Sequence, residues 1–126
     1  MDNKKLLLLA RNHFERSTGF QTQTIRLREL NTAQWESHCE IHDLHNTAIA
    51  TSIKRSNEHI ITIKADLTQT LPELFCDFLH EISHEFHRQH NKAFYALLEQ
   101  CGVQVGRGYN DLGYRSETWE GDLPLC

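Results

Sequence analysis

The sequence predicts one α+β domain, covering residues 1–126, in which an N-terminal helix and a small, mainly antiparallel sheet precede a pair of helices. Apolar residues recur at helical spacing near the N terminus and again after residue 70, whereas β-branched residues cluster between residues 45 and 65. A chain of 126 residues suits a single hydrophobic core. Glycines are frequent from residue 102 onward, so a loop-rich tail is expected over residues 102–126.

The N-terminal part is expected to supply a helix, a strand and a second, short helix. Residues 3 to 16 form the first helix, which stops before Gly19. Its core-facing side chains are expected to be Leu6, Leu9, Ala10 and Phe14. A strand is expected over residues 21 to 30 and a short helix over residues 32 to 39, with Trp35 packed in the core.

Two further strands, over residues 45–53 and 59–65, are expected to form a hairpin joined by a polar turn at residues 54–58. Alternation around Ile61 and Ile63 predicts a strand with one buried and one exposed face. A strand edge beside the helix that follows is a suitable place to hold an extended peptide by main-chain hydrogen bonds.

The most informative feature is an HExxH motif at residues 80–84. His80 and His84 are four residues apart, so on a helix both can direct a ring nitrogen at one zinc ion. Glu81 is rotated by about 100° around the helix axis, where its carboxylate can reach a metal-bound water rather than the metal. The spacing therefore indicates a zinc hydrolase centre.

Nine of the 126 residues are histidine, so an HExxH motif could also occur by chance. The motif lies within an amphipathic helix whose apolar side chains are Leu71, Leu74, Phe75, Phe78, Leu79, Ile82 and Phe86. Thr70, Pro72 and Glu73 mark its start, because Thr70 and Glu73 have the spacing of a capping box. The alternative is a solvated helix face that merely carries several histidines.

A catalytic zinc ion takes three protein ligands, so a third is needed. His87 shares a face with His84, but it lies about 10 Å along the axis from His80, too far for convergence on a straight helix. His90 fits if the chain leaves the helix after about Arg88 and turns back. Asn91 then caps a second helix, over residues 92–100, and His90 is the favoured ligand.

The segment HEISHEFHRQHNKAFYALLEQ resembles the active-site segment of the YgjP, WLM and SprT-like group of zincin-like metallopeptidases. The matching positions are His80, Glu81, His84, His90, Phe94 and Tyr95. The resemblance is close over residues 71–100 and loose before them, where the family's tryptophan-glycine-serine stretch is absent. It implies a zincin-like fold, one Zn²⁺ per chain bound by the three histidines, and Glu81 as general base. It also implies a protein or peptide substrate; relatives in the SprT-like group act on proteins crosslinked to DNA.

Composition and charge limit the binding partners and the cellular compartment that are expected. A net charge of −4 gives no general attraction to nucleic acid, and no apolar run is long enough to cross a membrane. The four cysteines show no paired metal-ligand spacing and suit a reducing cytoplasm; they are Cys39, Cys76, Cys101 and Cys126.

Two other functions compete with the peptidase. The YbeY-like endoribonucleases share the spacing of His80, His84 and His90, although they usually carry glycine where this chain has Glu81. A zinc-stabilised binding module would need a fourth protein ligand, for which His59 or Asp66 is a candidate. A tyrosine of the tail, Tyr109 or Tyr114, could also donate a hydrogen bond to an oxyanion, although anchoring the tail is the expected role of its aromatic residues.

Overall fold

The computed structural model describes residues 2–44, 50–55, 57–66 and 69–103. Within them the chain forms four helices and three strands, which confirms the α+β class. In chain order the elements are α1 (Asn3–Thr18), β1 (Thr24–Leu30), α2 (Thr32–Ile41), β2 (Ala50–Arg55), β3 (Glu58–Lys64), α3 (Leu71–Ser83) and α4 (Lys92–Gln100). None of the described helices has the length and apolar character needed to cross a bilayer.

The three strands form one mixed sheet in the order β1-β3-β2. β2 pairs with β3 in antiparallel fashion, as expected for a hairpin, but β1 pairs with β3 in parallel. The expectation of a mainly antiparallel sheet was therefore wrong for β1. The chain between the paired strands includes α2 and β2, which is long enough to return it to the same end of the sheet for parallel pairing.

β3 is buried on both faces, so the predicted exposed face does not exist. No residue from 59 to 63 is more than 3% exposed. α2 covers one face, where Oγ1 of Thr51 lies 3.1 Å from Nε2 of His38. On the other face Ile61 and Ile63 join the core that α1, α3 and α4 build.

Several predicted boundaries and one core residue also need correction. Arg55 pairs with Glu58, so the predicted turn at residues 54–58 is much shorter and most of it belongs to the strands. Residues 45–49, the first half of the predicted strand at 45–53, lie outside the described residues. In α1, Leu7 is buried and Leu9 is 45% exposed, the reverse of the predicted assignment.

The helices that carry the motif begin where local signals indicated. Thr70 is the N-cap of α3 and accepts from the backbone N–H of Glu73, while Asn91 is the N-cap of α4. α3 packs its apolar face against α1 and the sheet, where Phe14, Phe78 and other large side chains are fully buried. Burying one such side chain contributes about 1.5–3 kcal/mol, so this packing fixes the orientation of α3.

Candidate metal centre

Three histidines from two neighbouring segments meet at the C-terminal end of α3. Nε2 of His90 lies 3.1 Å from Nε2 of His80 and 3.0 Å from Nε2 of His84. A tetrahedral zinc site with Zn–N distances of about 2.0–2.1 Å holds its nitrogens about 3.3 Å apart. The three side chains therefore form a group that could hold a metal ion.

The hydrogen bond made by Nδ1 of His84 suits the binding of a cation at its other ring nitrogen. Nδ1 of His84 lies 3.1 Å from the carbonyl oxygen of His87, to which only a protonated Nδ1 can donate. A neutral His84 ring then presents a lone pair at Nε2. One proton on Nε2 of His90 could serve only one of its two neighbours, whereas a shared cation could be bound by all three rings.

Phe94 forms the wall behind the histidines. Its fully buried ring has its centroid 4.8 Å from His80, 4.7 Å from His84 and 5.0 Å from His90. Tyr95 is farther away, with its centroid 6.3 Å from that of His90. Because Phe94 touches all three rings, it restricts their rotation and keeps water from one side of the group.

The turn after α3 brings His90 back to the helix. α3 ends at Ser83, earlier than the expected exit near Arg88. The backbone N–H groups of residues 84 to 86 donate to carbonyls three residues back, at 3.0–3.2 Å, which tightens the chain out of α-helical geometry. Asn91 then begins α4 by accepting the N–H of Phe94 at 3.0 Å.

Glu81 is buried beside the histidines at 3% exposure. Its Oε2 lies 3.9 Å from Nε2 of His80, and its Oε1 accepts a 2.8 Å hydrogen bond from Ser52 on β2. Burial raises the pKa of Glu81 to about 8; the Ser52 hydrogen bond opposes this rise and the charge of Asp77 adds to it. A cation held by the histidines would favour the ionised carboxylate. A carboxyl group in this position is suited to exchange protons with a reacting molecule.

The other predicted ligand candidates lie elsewhere. His87 contributes its carbonyl to His84 and is not part of the histidine group among the described residues. His59 lies against Glu85 at 3.2 Å, and Asp66 accepts from Thr32 at 2.5 Å. In the described part of the chain, neither of these two residues joins the group as a fourth ligand. Tyr109 and Tyr114 lie outside the described residues, as does most of the predicted tail.

The histidine group is shallow rather than enclosed, since His80 is partly exposed and His90 is exposed. A cavity of about 500 Å³ lies elsewhere, between β1 and α2, and Arg28, His38 and His42 are among its lining residues. That cavity includes none of the three clustered histidines. The histidine group is the stronger candidate site because it brings together donor atoms with a defined chemistry.

Sequence reasoning missed two side chains of the sheet that contact the motif or the residue directly after it. Ser52 reaches Glu81 from β2, and Lys54 reaches the backbone of Glu85 from the same strand. Nothing in a Ser or Lys in a predicted strand signals such a contact, because it depends on how the hairpin docks against α3. The burial of Glu85, at 2% exposure, was equally unforeseen.

Comparisons with protein-family models, curated proteins and solved structures found no match to this chain.

Proposed function

We propose that this chain is a zinc-dependent metallopeptidase with a zincin-like catalytic domain. The observation that carries the proposal is the convergence of His80, His84 and His90 beside the buried carboxyl group of Glu81. Three imidazoles form a zinc ligand set typical of catalytic sites, in which one coordination position stays open. The partial exposure of His80 and His90 gives a substrate a way to approach that position.

A zinc ion bound there would supply Lewis-acid activation of water and of the scissile carbonyl group. Glu81 would take the proton of the attacking water and deliver it to the leaving amine. Ser52 would hold the carboxylate through Oε1, which leaves Oε2, the oxygen nearer His80, for proton transfer. Phe94 would keep the three ligand rings in place.

The order of the strands indicates where an extended peptide would pair with the sheet, although five of the six residues of β2 are buried in the free protein. Among the described strands β2 lies at the edge of the sheet, and it contacts α3. A peptide that paired with such an edge would lie alongside the helix that carries Glu81. A complex with a peptide bound away from β2 would contradict this part of the proposal. Proteins associated with DNA remain a substrate class suggested by the family resemblance.

The test compares wild-type protein with Glu81→Gln and His84→Ala, each checked for folding by circular dichroism. Zinc content would be measured after dialysis, and hydrolysis would be followed with a quenched peptide library and with unfolded protein. We expect one zinc per wild-type chain, zinc retention without turnover in Glu81→Gln, and zinc loss in His84→Ala. Zinc loss from a folded Glu81→Gln would contradict the role of Glu81 as the base.

An RNA substrate incubated beside the peptides separates the peptidase from the endoribonuclease alternative. Cleavage of RNA but not of peptides, dependent on His84, would replace the proposed function. Bound zinc with neither activity, and with four protein ligands in its X-ray absorption spectrum, would instead indicate a zinc-stabilised binding module.

A further inference from the structure

Glu85, the residue after the second histidine of the motif, is tied to three other segments. Its Oε1 accepts the backbone N–H of Gln23 at 2.6 Å, just before β1. Its Oε2 accepts from Nδ1 of His59 on β3 at 3.2 Å, and its backbone carbonyl accepts from Nζ of Lys54 on β2 at 2.9 Å. One residue in the turn after α3 is therefore hydrogen-bonded to β2, to β3 and to the residue that precedes β1.

The polar cluster formed by Glu85, His59 and Lys54 is deeply buried, so its desolvation lowers the stability of the folded state. Glu85 is 2% exposed, His59 0% and Lys54 9%. In the described part of the chain, Nε2 of His59 is buried without a hydrogen-bond partner, so even this arrangement leaves one polar atom unsatisfied. Apolar side chains of similar size could fill the same space without the desolvation of a carboxyl group and an amine. The cluster therefore needs a reason other than packing.

The position of Glu85 supplies that reason. It belongs to the turn in which the His87 carbonyl accepts from Nδ1 of His84, and this hydrogen bond leaves Nε2 of His84 as the metal-facing atom. The same turn starts the path by which His90 returns to the other two rings. A small shift of the turn would move His84 and His90 together.

We propose that Glu85 is a positioning residue of the metal centre: its buried hydrogen bonds fix the turn that orients His84 and returns His90. The proposal rests on the metal site of the proposed function and does not depend on peptidase activity. Lys54 and His59 act through Glu85 in the same way. None of the three touches the reacting atoms.

The experiment uses Glu85→Gln, which keeps the size of the side chain and an acceptor for the Gln23 N–H but turns an amide donor toward Nδ1 of His59. In the described part of the chain, His59 can accept from that donor only by carrying its proton on the buried, unpartnered Nε2. Zinc affinity would be measured by competition with a chromophoric chelator, and ligand geometry by the visible absorption spectrum of the Co²⁺-substituted protein. We expect an affinity 10- to 100-fold below wild type, as for residues that support metal ligands, and an altered Co²⁺ spectrum. Lys54→Met keeps the aliphatic stem, removes only the donor to the Glu85 carbonyl, and is expected to give a smaller loss.

The matched control is Thr51→Val, which removes a buried hydrogen bond to His38 on the opposite face of the sheet. It should lower the urea midpoint but leave zinc affinity and the Co²⁺ spectrum unchanged. Wild-type affinity and spectrum in Glu85→Gln, with only a lowered midpoint, would overturn the proposal. If Glu85→Gln does not fold, Lys54→Met decides, and an unchanged affinity in that variant overturns the proposal.

A failure of this proposal can be distinguished from a failure of the proposed function. A wild-type protein that binds zinc but hydrolyses no peptide refutes the peptidase, and a weakened affinity in Glu85→Gln then still supports the positioning role. A folded wild-type protein that binds neither Zn²⁺ nor Co²⁺ overturns both, because there is then no metal centre to position.

Discussion

The hydroxyl group of Ser52 on β2 lies 2.8 Å from Oε1 of Glu81 on α3 and 3.1 Å from the backbone carbonyl oxygen of the same residue. A hydroxyl group has one proton, so it donates to one of these oxygens at a time. Both residues are buried, and the contact joins the edge strand of the sheet to the motif helix. The orientation of the carboxyl group is thus set from outside its own helix.

Replacement of this hydroxyl group tests its role. We expect Ser52→Ala to lower the free energy of unfolding by about 1–3 kcal/mol, because the buried Glu81 loses a donor. Peptide turnover should fall about 10-fold or more, while zinc content stays at the wild-type level. Urea denaturation measures the stability, a timed peptide-hydrolysis assay the turnover, and metal analysis the zinc content. Zinc loss would show that Ser52 supports the ligands rather than Glu81, and Thr51→Val serves as the control on the neighbouring position.

Removal of single histidines tests the ligand set. His90→Ala should lose tightly bound zinc, because two imidazoles alone leave the ion with too few protein ligands. His87→Ala should keep it, since this residue acts on His84 through its backbone carbonyl, which the substitution preserves. Metal content per folded chain, measured by plasma emission spectroscopy, distinguishes the two. Equal losses in both variants would assign a ligand role to His87 as well.

Replacement of Phe94 by a smaller apolar side chain should weaken metal binding without unfolding the protein. Phe94→Leu keeps an apolar side chain in the core but removes the ring that contacts the three histidines. We expect a loss of stability of about 1–2 kcal/mol, below the 3–5 kcal/mol typical of Phe→Ala, together with a weakened zinc affinity. Chelator competition measures the affinity. Phe78→Leu, equally buried, is a control that should lose stability with little effect on affinity.

The pH dependence of the free energy of unfolding should show the effect of the raised pKa of Asp77. Burial, with a further effect of Glu73, raises the pKa of Asp77 to about 6 from 3.8. The folded state therefore holds this proton more tightly than the unfolded state, so stability falls as pH rises from about 4 to about 6 and stays lower above it.

Asp77→Asn removes this penalty and should stabilise the metal-free protein by about 1–2 kcal/mol at pH 7, a value reduced to allow for partial exposure. At pH 4 the gain should nearly vanish. Urea denaturation at the two pH values measures the gain, with Glu40→Gln on the exposed surface of α2 as a control for a general charge effect. A gain of equal size at both pH values would exclude the raised pKa as its cause.

Local signals predicted the elements around the motif well. Thr70 and Asn91 cap α3 and α4 as expected, because each uses its own side chain within one turn of helix. The spacing of His80 and His84 is likewise a property of the helix itself. One residue of the buried face of α1 was misassigned, Leu9 instead of Leu7, since four consecutive leucines at residues 6–9 leave the rotation of the helix undecided.

Long-range relationships could not be predicted in the same way. The parallel pairing of β1 and the burial of β3 depend on where α2 packs. The sequence of a strand does not predict the position of a helix that packs on it. The contacts that orient Glu81 and Glu85 span 29 and 62 residues. No spacing rule connects residues so far apart, whereas His90 could be proposed because only ten residues separate it from His80.

The three histidines of the candidate metal centre lie between residues 80 and 90, whereas Ser52, Lys54 and His59 belong to the β2–β3 hairpin, which precedes them in the sequence. Contacts that are close in sequence form faster during folding than distant ones. On the proposed function, α3 and the following turn would by themselves bind a metal ion only weakly. Tight binding and an oriented base would require the hairpin to dock, so the slower, long-range contacts would complete the proposed catalytic centre.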